Sequence, residues 1–214
     1  MRRGIRFSVV STAAFLLAAM TAQADPVTIF SNFNPDPSIL YDGGTGWTIA
    51  GPSSGAGEAY SVAMAFTSSG TYALTQIDVA IGLIIGTSSV DLALYSDSGG
   101  APGSQLGSWT ITSLTDFGSC CSIESIFPGT SITLDAGAQY WLWASAGSDT
   151  FAAWSWNNIG QTGPMWSDSG DAGTQTQGAY DILGVNPVPE PASGLLVASA
   201  IALLGVALRR RPRL

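Results

Sequence analysis

Residues 25–186 predict an all-β fold, a β-sandwich or jelly roll, and three observations carry that expectation. Short apolar runs alternate with clusters of Gly, Ser, Asp and Pro at spacings of roughly 8–12 residues, the rhythm of strands and turns. Within several runs the apolar residues recur at every second position, which directs one face inward. Between the two ends of the chain no 3.6-residue period is sustained.

Val27 to Phe33 reads as a first strand, broken by Asn34-Pro35-Asp36-Pro37. Asp42-Gly43-Gly44 reads as a turn ahead of Trp47-Thr48-Ile49. Tyr60, Val62, Met64 and Phe66 alternate with small or polar residues and point one way. Ile77, Val79, Ile81 and Leu83 do the same, and so do Val90, Leu92 and Leu94. The turn-rich stretch from Ser96 to Gly103 precedes a strand from Leu106 to Leu114, on which Trp109 and Ile111 share a face. Two shorter runs, at Ile123 to Phe127 and Ile132 to Leu134, flank Pro128-Gly129. Tyr140 to Ala144 and Phe151 to Trp156 are apolar on both faces, as central or covered strands are. Gly163 to Gly178 reads as loop, and Tyr180 to Leu183 as a strand that closes the sheet.

The charge distribution is extreme. The chain has 214 residues, and its seven basic side chains are Arg2, Arg3, Arg6, Arg209, Arg210, Arg211 and Arg213; it has no His. From Asp25 to Val188 there is therefore no positive side chain, against fourteen of the fifteen acids. Side-chain ion pairs cannot form in that span. Nucleic acid is excluded as a partner, because nothing there neutralises phosphate. A Ser-His-Asp or Cys-His catalytic arrangement is excluded too, as is a Schiff-base lysine.

Both ends are targeting segments. Arg2, Arg3 and Arg6 precede an uncharged run from Phe7 to Met20, and Ala22-Gln23-Ala24 supplies the small residues of a cleavage site, with Ala22 and Ala24 at the selective positions. Residues 1–24 read as a signal peptide, which exports the domain of residues 25–186. In residues 187–214, Pro189-Glu190-Pro191 precedes an uncharged segment, 192–208, just long enough to span a bilayer as a helix. Arg209, Arg210, Arg211 and Arg213 behind it hold that end in the cytoplasm by the positive-inside rule. A single-pass inner-membrane precursor follows, with the domain outside.

The order of prolines, apolar segment and arginine cluster resembles the PEP-CTERM sorting signal of Gram-negative bacteria. That resemblance implies recognition of Pro189, Glu190 and Pro191 by an exosortase, a membrane-embedded transpeptidase-like enzyme, and removal of the helix. The run from Leu92 to Ser104, with Gln139-Tyr140-Trp141-Leu142-Trp143, is similar to the choice-of-anchor β domains that often precede such signals. The latter resemblance implies a fold and an exported role at the cell surface or in the extracellular matrix, and no chemistry.

For the domain itself, a non-enzymatic role is the expectation, and a carbohydrate-binding module of an exopolysaccharide matrix is the alternative. Trp141 and Trp143 share a strand face, as do Trp154 and Trp156, and flat rings on a sheet stack on sugars; equally, such rings fill cores. Asp97, Asp168 and Asp171 lie in Gly/Ser-rich loops where calcium would find carboxylates and carbonyls, although the EF-hand spacing is absent and solvated turns account for them as well. A glycan-active enzyme would need two opposed carboxylates; Glu58 and Glu124 are the only glutamates before Glu190. The adjacent Cys120 and Cys121 leave three alternatives: a vicinal disulfide, free thiols or intermolecular bridges.

Overall fold

The computed structural model describes residues 25–187, and among them fourteen strands and no helix occur. In chain order they are β1 (Val27–Ser31), β2 (Asp42–Ala50), β3 (Val62–Thr67), β4 (Tyr72–Val79), β5 (Ile81–Ile85), β6 (Ser89–Asp97) and β7 (Pro102–Thr112). The second half adds β8 (Glu124–Ile126), β9 (Thr133–Leu134), β10 (Gln139–Ala146), β11 (Phe151–Trp156), β12 (Thr162–Ser167), β13 (Gly170–Thr176) and β14 (Tyr180–Val185). Strand pairing is antiparallel throughout these elements.

Three sheets result. One runs β1-β14-β4-β8 with β9 also on β4, one runs β13-β12-β3-β10-β6-β7, and the third is β2-β11-β5. Their inner faces meet in one core. Ile29, Leu74, Ile77 and Ile182 come from the five-stranded sheet, Met64, Phe66, Leu92, Leu94 and Leu142 from the six-stranded sheet, and Ile49, Ile81 and Trp154 from the three-stranded one. The register sets Leu142 opposite Met64 on one side and Leu94 on the other, so the alternating residues read from the sequence form a continuous buried row. Burying each such side chain stabilises the fold by about 1.5–3 kcal/mol before entropy is counted. This layered all-β arrangement agrees with a β-sandwich.

Several elements depart from the sequence expectation for physical reasons. The run from Ile77 to Leu83 is split at Ala80, with β4 and β5 in different sheets. Ala80 donates its N–H to the Ala179 carbonyl (3.1 Å) and accepts from the Ser155 N–H (2.8 Å), so a small residue carries the chain from one sheet to the next. Asp42-Gly43-Gly44 opens β2 instead of forming a turn. A Cβ on Gly43 would stand 2.7 Å from the Ser119 carbonyl carbon and 2.8 Å from the Cys120 nitrogen, so glycine there permits a close backbone approach. Gly163 to Gly178 contains the β12–β13 hairpin, whose turn uses Gly170 at φ 100°. Tyr60 is exposed while Val62, Met64 and Phe66 are buried. β14 lies between β1 and β4, inside its sheet and not at an edge.

Cys120 and Cys121 form the vicinal disulfide, across a cis peptide bond with their Cα atoms 3.1 Å apart. The Leu40 N–H donates to Cys121 Sγ (3.2 Å) and the Tyr41 hydroxyl donates to the Ser122 carbonyl (2.8 Å), which ties this loop to the segment before β2. No helix among the described residues is long and apolar enough to cross a membrane. Ala22 and Ala24 of the signal segment, and the segment 192–208, lie outside the described residues.

Candidate functional site

The outer face of the six-stranded sheet carries the aromatic cluster. Because side chains alternate along a strand, the residues between the core positions of β3, β6, β10 and β12 point away from the core. They are Ala63 and Ala65, Tyr95, Trp141 and Trp143, and Trp166, which pack together. The register explains the fit: Trp141 lies opposite Ala65 and Trp143 opposite Ala63, so small side chains leave room for large rings on the neighbouring strand.

Within the cluster the rings differ in access. Trp141 is 1% exposed, with Trp166 set edge-on against it at 6.4 Å. Its indole N–H donates to Asp97 Oδ1 (2.8 Å), which also accepts from Gln139 Nε2 (2.9 Å). That indole hydrogen bond is the main reason the Asp97 carboxyl is held below its usual range; backbone N–H groups of Gly100 and Gly99 add to it. Trp143 is half-buried beside Tyr95, ring centroids 6.3 Å apart, and the Tyr95 hydroxyl donates to Gln105 Oε1 (3.1 Å). Two shallow grooves of about 240 and 350 Å³ share Tyr95 and Trp143. Ala101, Pro102 and Trp166 complete the first, while Asp91, Gln105, Ser108 and Thr110 supply polar groups to the second.

Of the four candidate tryptophans, only Trp143 therefore has a ring in an open groove of this face. Trp154 is fully buried in the common core, and its N–H donates to the Ala179 carbonyl (3.0 Å), so no ring face is left for a sugar. Trp156 packs on Trp47 at 5.4 Å, and its indole nitrogen is buried without a partner. Tyr95 and Trp166 escaped the sequence reading; Tyr95 was detectable as an aromatic residue on the Asp91–Ala93 face of β6.

The calcium candidates do not converge. Asp97 is engaged under Trp141, Asp168 accepts from the Ser61 N–H (2.6 Å) and from its hydroxyl, and Asp171 accepts from the Gly173 N–H (2.8 Å). Among the described residues no three Asp, Glu or Cys side chains form a group that could hold a metal ion.

Two other groupings of carboxylates were not foreseen. Asp78 on β4 and Asp181 on β14 are direct cross-strand partners, on the side opposite the buried Ile77, Val79 and Ile182. Burial, and secondarily the Asp78 charge, push the Asp181 carboxyl up to about 6, and its Oδ1 is buried without a hydrogen-bond partner. Gln76 Nε2 donates to both Asp78 oxygens (2.9 Å each). Separately, Glu58 and Asp168 line a cavity of about 510 Å³ with Trp47, Tyr60, Ser61 and Met165. Glu124 has a long contact of 3.5 Å from the Thr115 N–H and joins neither grouping.

β14 ends at Val185, and two further described residues, Asn186 and Pro187, are exposed. From Pro187 onward, residues 187–211 match the family model of the PEP-CTERM protein-sorting motif. The chain carries a PEP-CTERM sorting motif. No curated protein and no solved structure matches the chain. In this PEP-CTERM protein the motif residues Pro189, Glu190 and Pro191 and the basic residues Arg209, Arg210, Arg211 and Arg213 lie outside the described residues. The sorting motif identifies an exported protein with an exosortase as its processing partner. The match begins two residues after a strand hydrogen-bonded on both sides.

Proposed function

We propose that this is a non-enzymatic protein of the cell surface or extracellular matrix, made as a single-pass inner-membrane precursor and cut by an exosortase at its C-terminal motif. The single observation that carries the reading is the sorting motif at residues 187–211. A sandwich domain of the choice-of-anchor type is the cargo. Its lack of His, Lys and Arg between Asp25 and Val188 removes most routes to nucleophilic and acid–base catalysis, which favours a structural or binding role. The test is the intact mass of the protein from cells with and without the exosortase. With the enzyme, the mass should lack residues 192–214 or close to it; equal masses that retain the arginines would overturn the reading.

Binding of a matrix exopolysaccharide is the second reading, favoured by Trp143 and Tyr95 beside a groove rimmed with Asp91, Gln105, Ser108 and Thr110. A half-exposed ring next to hydroxyl, amide and carboxylate groups suits a sugar, whose faces are apolar and whose edge is polar. Titration of tryptophan fluorescence with the organism's exopolysaccharide should show saturation. Trp143→Ala should weaken binding about tenfold or more, the loss expected of a central aromatic anchor; an unchanged affinity would remove this face from the reading.

A further inference from the structure

The cavity of about 510 Å³ shares no lining residue with the two grooves at Trp143 and is built from three segments: Trp47 on β2, Glu58 to Ser61 before β3, and Met165 on β12 with Asp168 just after it. Its size is that of a small-molecule site. Its two charged groups are both carboxylates, and each is oriented by a neighbour. Ser61, itself buried, uses its N–H and its hydroxyl to hold Asp168, and the Tyr60 hydroxyl donates to Glu58 Oε1. Trp47, whose indole N–H donates to the Thr176 carbonyl (2.7 Å), lines the same space.

No cation of the domain can answer these carboxylates, since residues 25–188 contain none. The ligand chemistry follows from that imbalance. An anionic ligand meets repulsion from the lining and from the rest of an acidic surface. A protonated amine gains charge-assisted hydrogen bonds to carboxylates and attraction to aromatic faces. Ser61, Ser167 and Ser169 line the space together with Trp47, Val62 and Met165, and this mixture of polar and apolar residues suits a sugar ring, whose faces are apolar and whose edge is polar. We infer that this cavity binds a protonated amino sugar, with Glu58 and Asp168 receiving its ammonium group and Trp47 its ring. The inference is independent of the groove at Trp143.

The test is calorimetric titration of the purified full chain in mild detergent with a glucosamine trisaccharide, its fully N-acetylated counterpart and trilysine. The glucosamine trisaccharide should bind, and the acetylated one, which has lost its charge, about tenfold or more weakly. Glu58→Gln, an exposed position, should lower the affinity by a similar factor without changing Tm, while Asp36→Asn, outside the cavity, should leave it unchanged. The proposal is overturned if the acetylated sugar binds equally, if Asp36→Asn weakens binding as much as Glu58→Gln, if trilysine binds as tightly as the amino sugar, or if none of the three binds. Trp143→Ala should have no effect here, which separates failure of this site from failure of the groove.

Discussion

At Asp181 the five-stranded sheet half-buries a carboxylate directly across from another, and this burial, with the Asp78 charge adding to it, gives the domain a pH dependence. The groups facing Asp181 across its two neighbouring strands are Asp78 on β4 and the neutral Ser31 on β1. Its carboxyl titrates at about 6 in the fold against an ordinary 3.8, so the folded chain holds the proton more tightly than the unfolded chain. The associated stabilisation is complete below about pH 4 and is lost as pH rises through about 6. Asp181→Asn removes the charge while keeping the shape. At pH 8 it should raise stability by about 1 kcal/mol, a value discounted for the partial solvation of the carboxyl, or Tm by about 2–4 °C. At pH 4 the two proteins should melt together. Thermal melts at both pH values decide this, and an equal gain at both would exclude titration as the cause. Nothing in the local sequence around Asp181 marks it, because its partner lies about a hundred positions away and only the register brings them together.

Among the elements, the Cys120–Cys121 loop and the start of β2 depend on each other. Gly43 admits the Ser119–Cys120 backbone, and Tyr41 hydrogen-bonds across to Ser122. A disulfide between neighbours closes so short a loop that it removes little chain entropy, about 1 kcal/mol. Reduction should therefore lower Tm by only a few degrees, about 2–4 °C, while intact mass rises by two hydrogens. A large loss of stability on reduction would show that the loop supports more of the core than its contacts indicate. The strands with clean apolar alternation, such as those of Met64, Leu92 and Leu94, were legible in the sequence because burial on one face imposes a period of two. The β12–β13 hairpin was not. Its strand residues include Gly163, Pro164, Gly173 and several Thr and Gln, and β13 is an edge strand with little to bury, so its pairing comes from the backbone and leaves no apolar trace.

Over the whole molecule, fourteen acids and no bases between Asp25 and Val188 repel one another with no ion pair to offset them. Salt screens that repulsion, since the Debye length falls from about 30 Å at 0.01 M to about 3 Å at 1 M. Raising sodium chloride over that range at pH 7 should raise Tm, and a fall would show that an attractive charge arrangement dominates instead. The same imbalance leaves the carboxylates of the Trp47 cavity open to a cationic ligand.

The sequence by itself determined the all-β class, the absence of histidine and lysine, and the sorting motif, because each depends on composition or on residues adjacent in the chain. Only the tertiary structure decided which tryptophans are accessible. Trp141 and Trp143 are two positions apart on one strand face, yet one is covered by Trp166 and bonded to Asp97 while the other flanks two grooves. Likewise Glu58 and Asp168 share a cavity only because β3 and β12 are neighbours in one sheet. Access and convergence are properties of packing between distant segments, and a linear pattern carries no measure of either.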